Sequence, residues 1–345
     1  MKEYLKDLNN YLDRRHFLKT LGILSISLFV PKSFSASLEI IKFNKKLYKL
    51  EETQALMGTF VTITVLDPSR TKAEEAIAKG FNEIKRLINI FNRFSNGTVV
   101  SELNKKGIVK YIPTEMKTVM EKSFYYYNLT SGNFDITVKP LVDLFKKTIA
   151  STGNPPSLKQ VKDALNLIGM EKISYRDKEV KFLKTGMGIT LDGIAKGYIV
   201  DRVALLMKKL KVTHALINAG GDIRAVGKKS WRIAIRDPFD HQKYVDIIEL
   251  KENAIATSGN YEVYFDREKI YHHIVNPHTG YSPTKVVSVS IVAKSTIEAD
   301  ALSTAVSVFG PIKGKHFIEK LPNIEGLIIT KNNLKLYSRG WKSYA

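Results

Sequence analysis

Two polar side chains in an otherwise apolar run pose the first chemical question. In IEADALSTAVSVFG, residues 297–310, Asp300 and Thr304 stand four apart, which on a helix puts them on one face about a turn apart. A carboxylate and a hydroxyl stacked in this way are hard oxygen donors, suited to magnesium, which takes its remaining ligands from phosphate and water. A plainer reading makes Ser295 or Thr296 the helix cap and leaves Asp300 near the first turn, where the dipole favours an anion. A second stretch, LDGIAKGYIVD (191–201), passes from strand to helix with Gly193 at the turn and Lys196 in the first helical turn. Backbone N–H groups and a lysine there can hold phosphate, and the Gly193 carbonyl could complete the donor set of Asp300 and Thr304. A tight turn with a surface lysine accounts for the same residues. INAGGDIRAVG (217–227) and ATSGNYEVYF (256–265) add small-residue turns where a ligand can approach the backbone.

Histidine supplies the base. YHHIVNPHTG (271–280) carries three, but Asn276-Pro277 and Thr279-Gly280 make the segment a turn, so the three are not expected to converge on zinc. One histidine acting as a general base is the better chemical reading. Ser258 lacks the GxSxG setting of a hydrolase nucleophile. Neither a GxxxxGK[ST] loop nor a GxGxxG fingerprint occurs. The chain has no cysteine, which removes disulfides, thiolate nucleophiles and sulfur-ligated metals.

These side chains need a scaffold, and the periodicities describe one. FVTITVL closes a strand expected from Gln54 to Leu66, and Pro68-Ser69 then opens a long helix whose Ala76, Phe81, Ile84, Leu87, Ile88 and Phe91 form a core stripe. Further helices are expected at 114–130, from the Ser157/Gln160 capping box, and at 194–210, 297–309 and 312–320. Strands are expected at 213–218, 231–236, 286–293 and 324–330. This mixed order predicts an α+β fold with a substantial antiparallel sheet. TIASTGNPPS (148–157) is the candidate subdomain joint.

With 345 residues, 44% hydrophobic and 26% charged, the chain is long enough for one large domain or two intimate ones. The formal charge of +20 invites an anionic partner, yet the lysines are scattered without a basic strip, so a small anionic ligand fits and nucleic acid is not expected. Residues 13–19 read DRRHFLK, followed by the apolar TLGILSISLFV and then small residues. That order predicts a twin-arginine export signal over 1–35 and a periplasmic protein. Its apolar run, 21–30, is too short to cross a bilayer of about 30 Å, so no permanent membrane span is expected. Removing the signal takes six basic and three acidic side chains and leaves +17. Residues 36–53 then form a lead-in, and 54–345 the main domain.

Eight motifs in order resemble a known family. MGT (57–59), FNRFSNGTVVSELN (91–104), SGNFDITVKPLVDLF (131–145), LDGIAKGYIVD, INAGGDI, ATSGNY, HHIVNPHTG and EADALSTAVSVFG are similar to the ApbE family of FAD:protein FMN transferases, over about residues 54–338. The resemblance implies a T-fold-like α+β architecture with a mixed, largely antiparallel sheet and packed helices. It also implies a Mg²⁺-dependent enzyme that splits FAD, joins FMN by a phosphoester to a Thr or Ser hydroxyl of an acceptor protein, and releases AMP. The acceptors it implies are subunits of membrane redox complexes. Carried over by motif, Asp300 and Thr304 are metal ligands with the Gly193 carbonyl, while Met57, Phe94, Asn133, Phe134, Asp135, Thr190, Lys196 and Ile274 fall where the family contacts FAD. His273 is the expected base for the acceptor hydroxyl. Three positions depart from the family pattern: Thr190 stands where many members have Asp, Phe94 where many have Tyr, and Asn276 where many have Asp. A periplasmic FAD carrier and an FAD pyrophosphatase are the alternative readings; the carrier would not need the metal pair, and the pyrophosphatase would share every site residue.

Overall fold

The single strand expected from Gln54 to Leu66 is broken by a turn at Met57-Gly58, so that residues 54–56 end one strand and 59–66 belong to the next, the two arms of a hairpin. The computed structural model describes residues 39–345 apart from 45, 177, 241, 261–263 and 267–269, so the export segment expected at 1–35 lies outside the described residues. Strand β1 (Glu39–Lys42) pairs with β2 (Tyr48–Leu56), and β2 turns back into β3 (Thr59–Asp67) through Met57-Gly58 alone. Both turn residues have positive φ, 54° and 70°. That is the twist a two-residue hairpin needs, and Gly58 adopts it without steric cost. Most of the expected lead-in therefore belongs to the main sheet.

Ser69 Oγ accepts from Lys72 N and caps α1 (Arg70–Phe91), whose stripe of Ala76, Phe81, Ile84, Leu87 and Phe91 is buried. There follow α2 (Val99–Lys106), β4 (Ile108–Val109), α3 (Thr114–Leu129), α4 (Lys139–Thr152) and α5 (Leu158–Leu165). Helix α5 opens on the full capping box that Ser157 and Gln160 predict. The expected joint at 148–157 comprises the last turn of α4 and a short link closed by Gly153 at φ 73°. Residues Leu38–Ala345 form one compact unit.

The remaining elements are β5 (Ile173–Arg176), β6 (Glu179–Phe182), α6 (Ala195–Lys209), β7 (His214–Ala219), β8 (Asp222–Val226), β9 (Trp231–Arg236), β10 (Tyr244–Leu250), β11 (Ala254–Gly259), β12 (Val286–Ala293), α7 (Thr296–Phe309), α8 (Pro311–Ile318), β13 (Glu325–Thr330) and β14 (Lys335–Tyr337). Among the described residues the main sheet has nine strands in the order β1-β2-β3-β7-β8-β11-β12-β13-β14, each pairing antiparallel. Helices α1, α6 and α7 cover one face and share its core. The β9–β10 ribbon and Trp341 cover the other, with Trp341 Nε1 donating to Asp246 Oδ2 at 2.8 Å. Strand β12 is buried along its whole length because both faces are covered, Val289 and Ile291 facing the helices and Val292 the ribbon. Helices α4 and α5 enclose a smaller core with Val275. No helix among the described residues is long and apolar enough to cross a membrane.

Candidate active site

The plainer reading, with Ser295 or Thr296 as the helix cap, fails on who caps the helix. Ser295 makes no side-chain capping bond. Instead Asp201, from α6, accepts from Thr296 N and Ile297 N, both at 2.9 Å, and so occupies the α7 N-terminus. Asp300 lies further along and is buried, its Oδ2 accepting from Gly197 N at 3.0 Å. Burial, and then the neighbouring Asp222 charge, push its carboxyl well above the usual range, while Lys196 and the Gly197 N–H act against the shift.

One turn on, Thr304 Oγ1 stands 3.3 Å from Ser258 Oγ, which is also bonded to Ser303 Oγ at 2.7 Å. Opposite is the turn before α6. A Cβ on Gly193 would lie 2.7 Å from Thr304 Oγ1, so the absence of a side chain at 193 is what lets the turn approach the α7 hydroxyl. Lys196 Nζ pairs with buried Asp222 Oδ2 at 3.3 Å, which holds a positive charge beside the acidic pair.

Two loops close the cavity. Ser131 and Gly132, at φ 51° and 78°, reverse the chain after α3 and present Asn133, Phe134 and Asp135. Asp135 is buried, and desolvation raises its pKa to about 6 although Thr137 N and Oγ1 both donate to Oδ1. Thr190 N donates to Ile136 O at 2.7 Å, which joins this loop to the turn before α6. The second loop carries the histidines. Asn276 Oδ1 accepts from His278 N and Thr279 N, an Asx turn as Asn276-Pro277 predicts. The three histidines take separate places: His272 is buried, His273 faces the cavity, and His278 packs at Gly132.

Every residue selected from the sequence lines this one cavity except Met57 and Phe94. Met57 sits in the β2–β3 turn, packed against the core, and Phe94 is 71% exposed. Phe94 nonetheless reaches the rim indirectly, since Arg93 covers its ring at 4.1 Å and bonds Asp192 Oδ2 at 3.1 Å, and Asp192 is a lining residue. Sequence reasoning missed the roles of Asp222 and Ser258. Asp222 directly follows the Gly220-Gly221 turn, and that adjacency was the available signal. Ser258, dismissed as a nucleophile, proves to be the hydroxyl partner of Thr304.

The residues present fit a magnesium ion. A buried carboxylate that its surroundings hold above its normal pKa gains most from a cation, and Asp300, Thr304 and the Gly193 turn offer hard oxygens alone. Among the described residues no group of three or more His, Asp and Glu side chains forms a metal centre. Such an ion would therefore rely on hydroxyl, backbone and ligand oxygens.

His272 supplies a pH test. Burial pushes its pKa down to about 4. The unfolded chain then binds the extra proton between about pH 4 and 6.5, so stability from neutral His272 is complete above about 6.5 and lost as pH falls toward 4, up to about 3 kcal/mol. In denaturant titrations the stability of the wild type relative to His272→Gln is expected to fall across that window; a constant difference would show that His272 does not titrate in it.

The antiparallel α+β scaffold brings an acid–hydroxyl pair, a lysine and a histidine to one cavity, hard oxygens and a positive charge of the kind that suit an anionic ligand. The particular family follows from comparison. The profile of the ApbE family matches residues 57–328, and the chain belongs to that family. It is 32% identical over 244 residues to the FAD:protein FMN transferase of Vibrio cholerae (classical Ogawa O395), covering 68% of this chain and 71% of the relative. A Klebsiella pneumoniae (strain 342) protein of the same name is 28% identical over 280 residues, 76% of this chain and 79% of that one. Among solved structures, the ApbE protein of Thermotoga maritima superposes with a TM-score of 0.78 at 31% identity, over 86% of this chain and 99% of its own. Flavin transferase ApbE from Vibrio cholerae gives 0.76 at 26% identity, over 87% and 100%. The expected ApbE-like α+β fold is thereby established.

Proposed function

We propose that this chain is an exported, Mg²⁺-dependent FAD:protein FMN transferase that joins FMN through a phosphoester to a Thr or Ser hydroxyl of an acceptor protein and releases AMP. The observation that carries this reading is the meeting of Asp300 and Thr304 with the Gly193 turn in the same cavity as Lys196 and His273. Asp300, Thr304 and the Gly193 carbonyl would hold Mg²⁺, which when bound would supply positive charge for the pyrophosphate and the leaving AMP. Lys196, fixed by Asp222, adds a second positive charge. Phe134 and Ile274 give the flavin nucleotide apolar surface, and Asn133 and Thr190 give it polar contacts. His273 takes the proton of the acceptor hydroxyl as its oxygen attacks the FMN phosphorus. The P–O bond to the bridging oxygen breaks, and that oxygen leaves with AMP.

The test mixes the purified protein with FAD, Mg²⁺ and a peptide bearing a flavinylation threonine, then weighs the peptide and assays AMP. One added FMN per peptide with an equal amount of AMP supports transfer; AMP without labelling leaves a pyrophosphatase or a mismatched acceptor, and FAD binding without AMP supports a carrier. His273→Ala is expected to slow labelling by about 10²- to 10⁴-fold with FAD affinity little changed. An undiminished rate in that variant would remove His273 from the mechanism.

The reading extends to export into the periplasm, with a membrane redox subunit as acceptor. It is supported by the Arg14-Arg15 signal pattern. Replacing both arginines by lysine is expected to retain the protein in the cytoplasmic fraction, whereas normal periplasmic accumulation would rule out the twin-arginine route.

A further inference from the structure

His272 is buried, lies beside the proposed base and has no part in the chemistry above. Its imidazole Nε2 is 3.0 Å from Pro283 O. A carbonyl can only accept, so Nε2 carries the proton and Nδ1 is a bare lone pair. That Nδ1 has no partner, although the residue is 1% exposed. A buried imidazole with one of its two nitrogens unsatisfied is a costly way to fill space, and an apolar side chain would do it at less cost. What the imidazole provides is one hydrogen bond at fixed length to the far end of the loop.

The backbone makes the same connection. His272 N donates to Ser282 Oγ at 3.0 Å, and Ser282 Oγ donates back to His272 O at 2.9 Å. On its other side His272 bridges Tyr264, whose ring meets the imidazole edge-on. Residue 272 is thus tied to 282 and 283 by three hydrogen bonds. Between these ends lie His273, Ile274, Val275 and Pro277, all of which line the cavity.

We propose that His272 is a positioning residue: its Nε2–H clasp on Pro283 closes the 272–283 loop and sets where His273 stands relative to the acceptor hydroxyl. This rests on the transferase reading for its effect on rate, but the clasp itself can be read without turnover. Glutamine places an amide N–H where Nε2 stands, while asparagine reaches only the Nδ1 position. His272→Asn is expected to lower the FMN transfer rate at saturating FAD by about 10- to 100-fold, the scale of an ångström's misplacement. His272→Gln is expected to restore the rate to within about threefold of wild type. In a His273→Ala background, His272→Asn should cause no further loss, because both changes act through the same group.

The experiment is hydrogen–deuterium exchange across 273–281 in the full-length protein, run beside transfer assays at a temperature where melting curves show each variant folded. Faster exchange in His272→Asn but not in His272→Gln, with the matching rate pattern, supports the proposal. Wild-type exchange in His272→Asn overturns it, as does equal loss of rate in both variants or additive loss in the His273→Ala background. If wild-type protein transfers no FMN while the exchange pattern appears as expected, the transferase reading falls and the clasp stands.

Discussion

Replacing Asp300 by Asn is expected to slow FMN transfer by about 10³-fold while making the cation-free protein more stable. The two effects share one cause. Asp300 is buried, and its neighbours Asp222 and Asp192 raise the cost of its charge. Asparagine keeps an oxygen for the Gly197 N–H, which now reaches Oδ2 at 3.0 Å, and removes the buried charge. A carboxyl raised above its unfolded pKa binds protons more readily in the folded state, so its cost to stability grows as pH rises above about 4. The variant should therefore melt a few degrees higher than wild type at pH 7, and that advantage should vanish toward pH 4. Catalysis goes the other way, because a neutral amide is a poor ligand for a hard cation. Losing about 4 kcal/mol of charge stabilisation slows transfer by about 10³-fold. Labelling by the variant at more than a tenth of the wild-type rate would show that Asp300 is not the metal-holding carboxylate.

Gly197→Ala is expected to cost both stability and activity through the backbone. A Cβ at 197 would lie 2.5 Å from Thr296 O, 2.7 Å from Thr296 C and 2.8 Å from Ile297 Cα. All three atoms are main chain, so no flexible side chain can give way and α6 must separate from α7. The separation strains two connections between these helices, the Gly197 N–H to Asp300 and the Asp201 carboxylate over Thr296 N and Ile297 N. A loss of about 2–4 kcal/mol follows, measurable as a shifted denaturant midpoint with an unchanged slope. Gly193→Ala makes a useful contrast. There the obstacle is the Thr304 side chain, with Oγ1 at 2.7 Å, which can rotate away, so stability should fall less while Thr304 is displaced from the Gly193 turn. An unshifted midpoint in Gly197→Ala would show that the helices can separate without penalty.

The elements with strong periodicity were legible from the sequence. Helix α1, with its Ser69 cap and buried stripe, and α5, with its capping box, follow from side-chain types at fixed spacing. The β2–β3 hairpin was not legible, because its turn uses Met57 in the left-handed region, and methionine is not a residue that announces a turn. The chemistry followed the same division. The i, i+4 spacing of Asp300 and Thr304 placed them on one helix face, but spacing alone did not separate a carboxylate that merely sits near the first turn of a helix capped by Ser295 or Thr296 from a metal ligand.

The order of motifs determined the family, and with it the residues to watch. The tertiary structure decided what those residues do to one another. Asp201 caps α7 from 95 positions away in the chain, in the place the sequence offered to Ser295 or Thr296. Asp222 restrains Lys196, Ser258 meets Thr304, and the clasp at His272 sets the loop that carries His273. Local sequence governs local dihedral preference and side-chain periodicity. Burial, and the approach of groups far apart in the chain, arise only when the sheet brings α6, α7 and the histidine loop together, and those approaches set the charge states on which the chemistry depends.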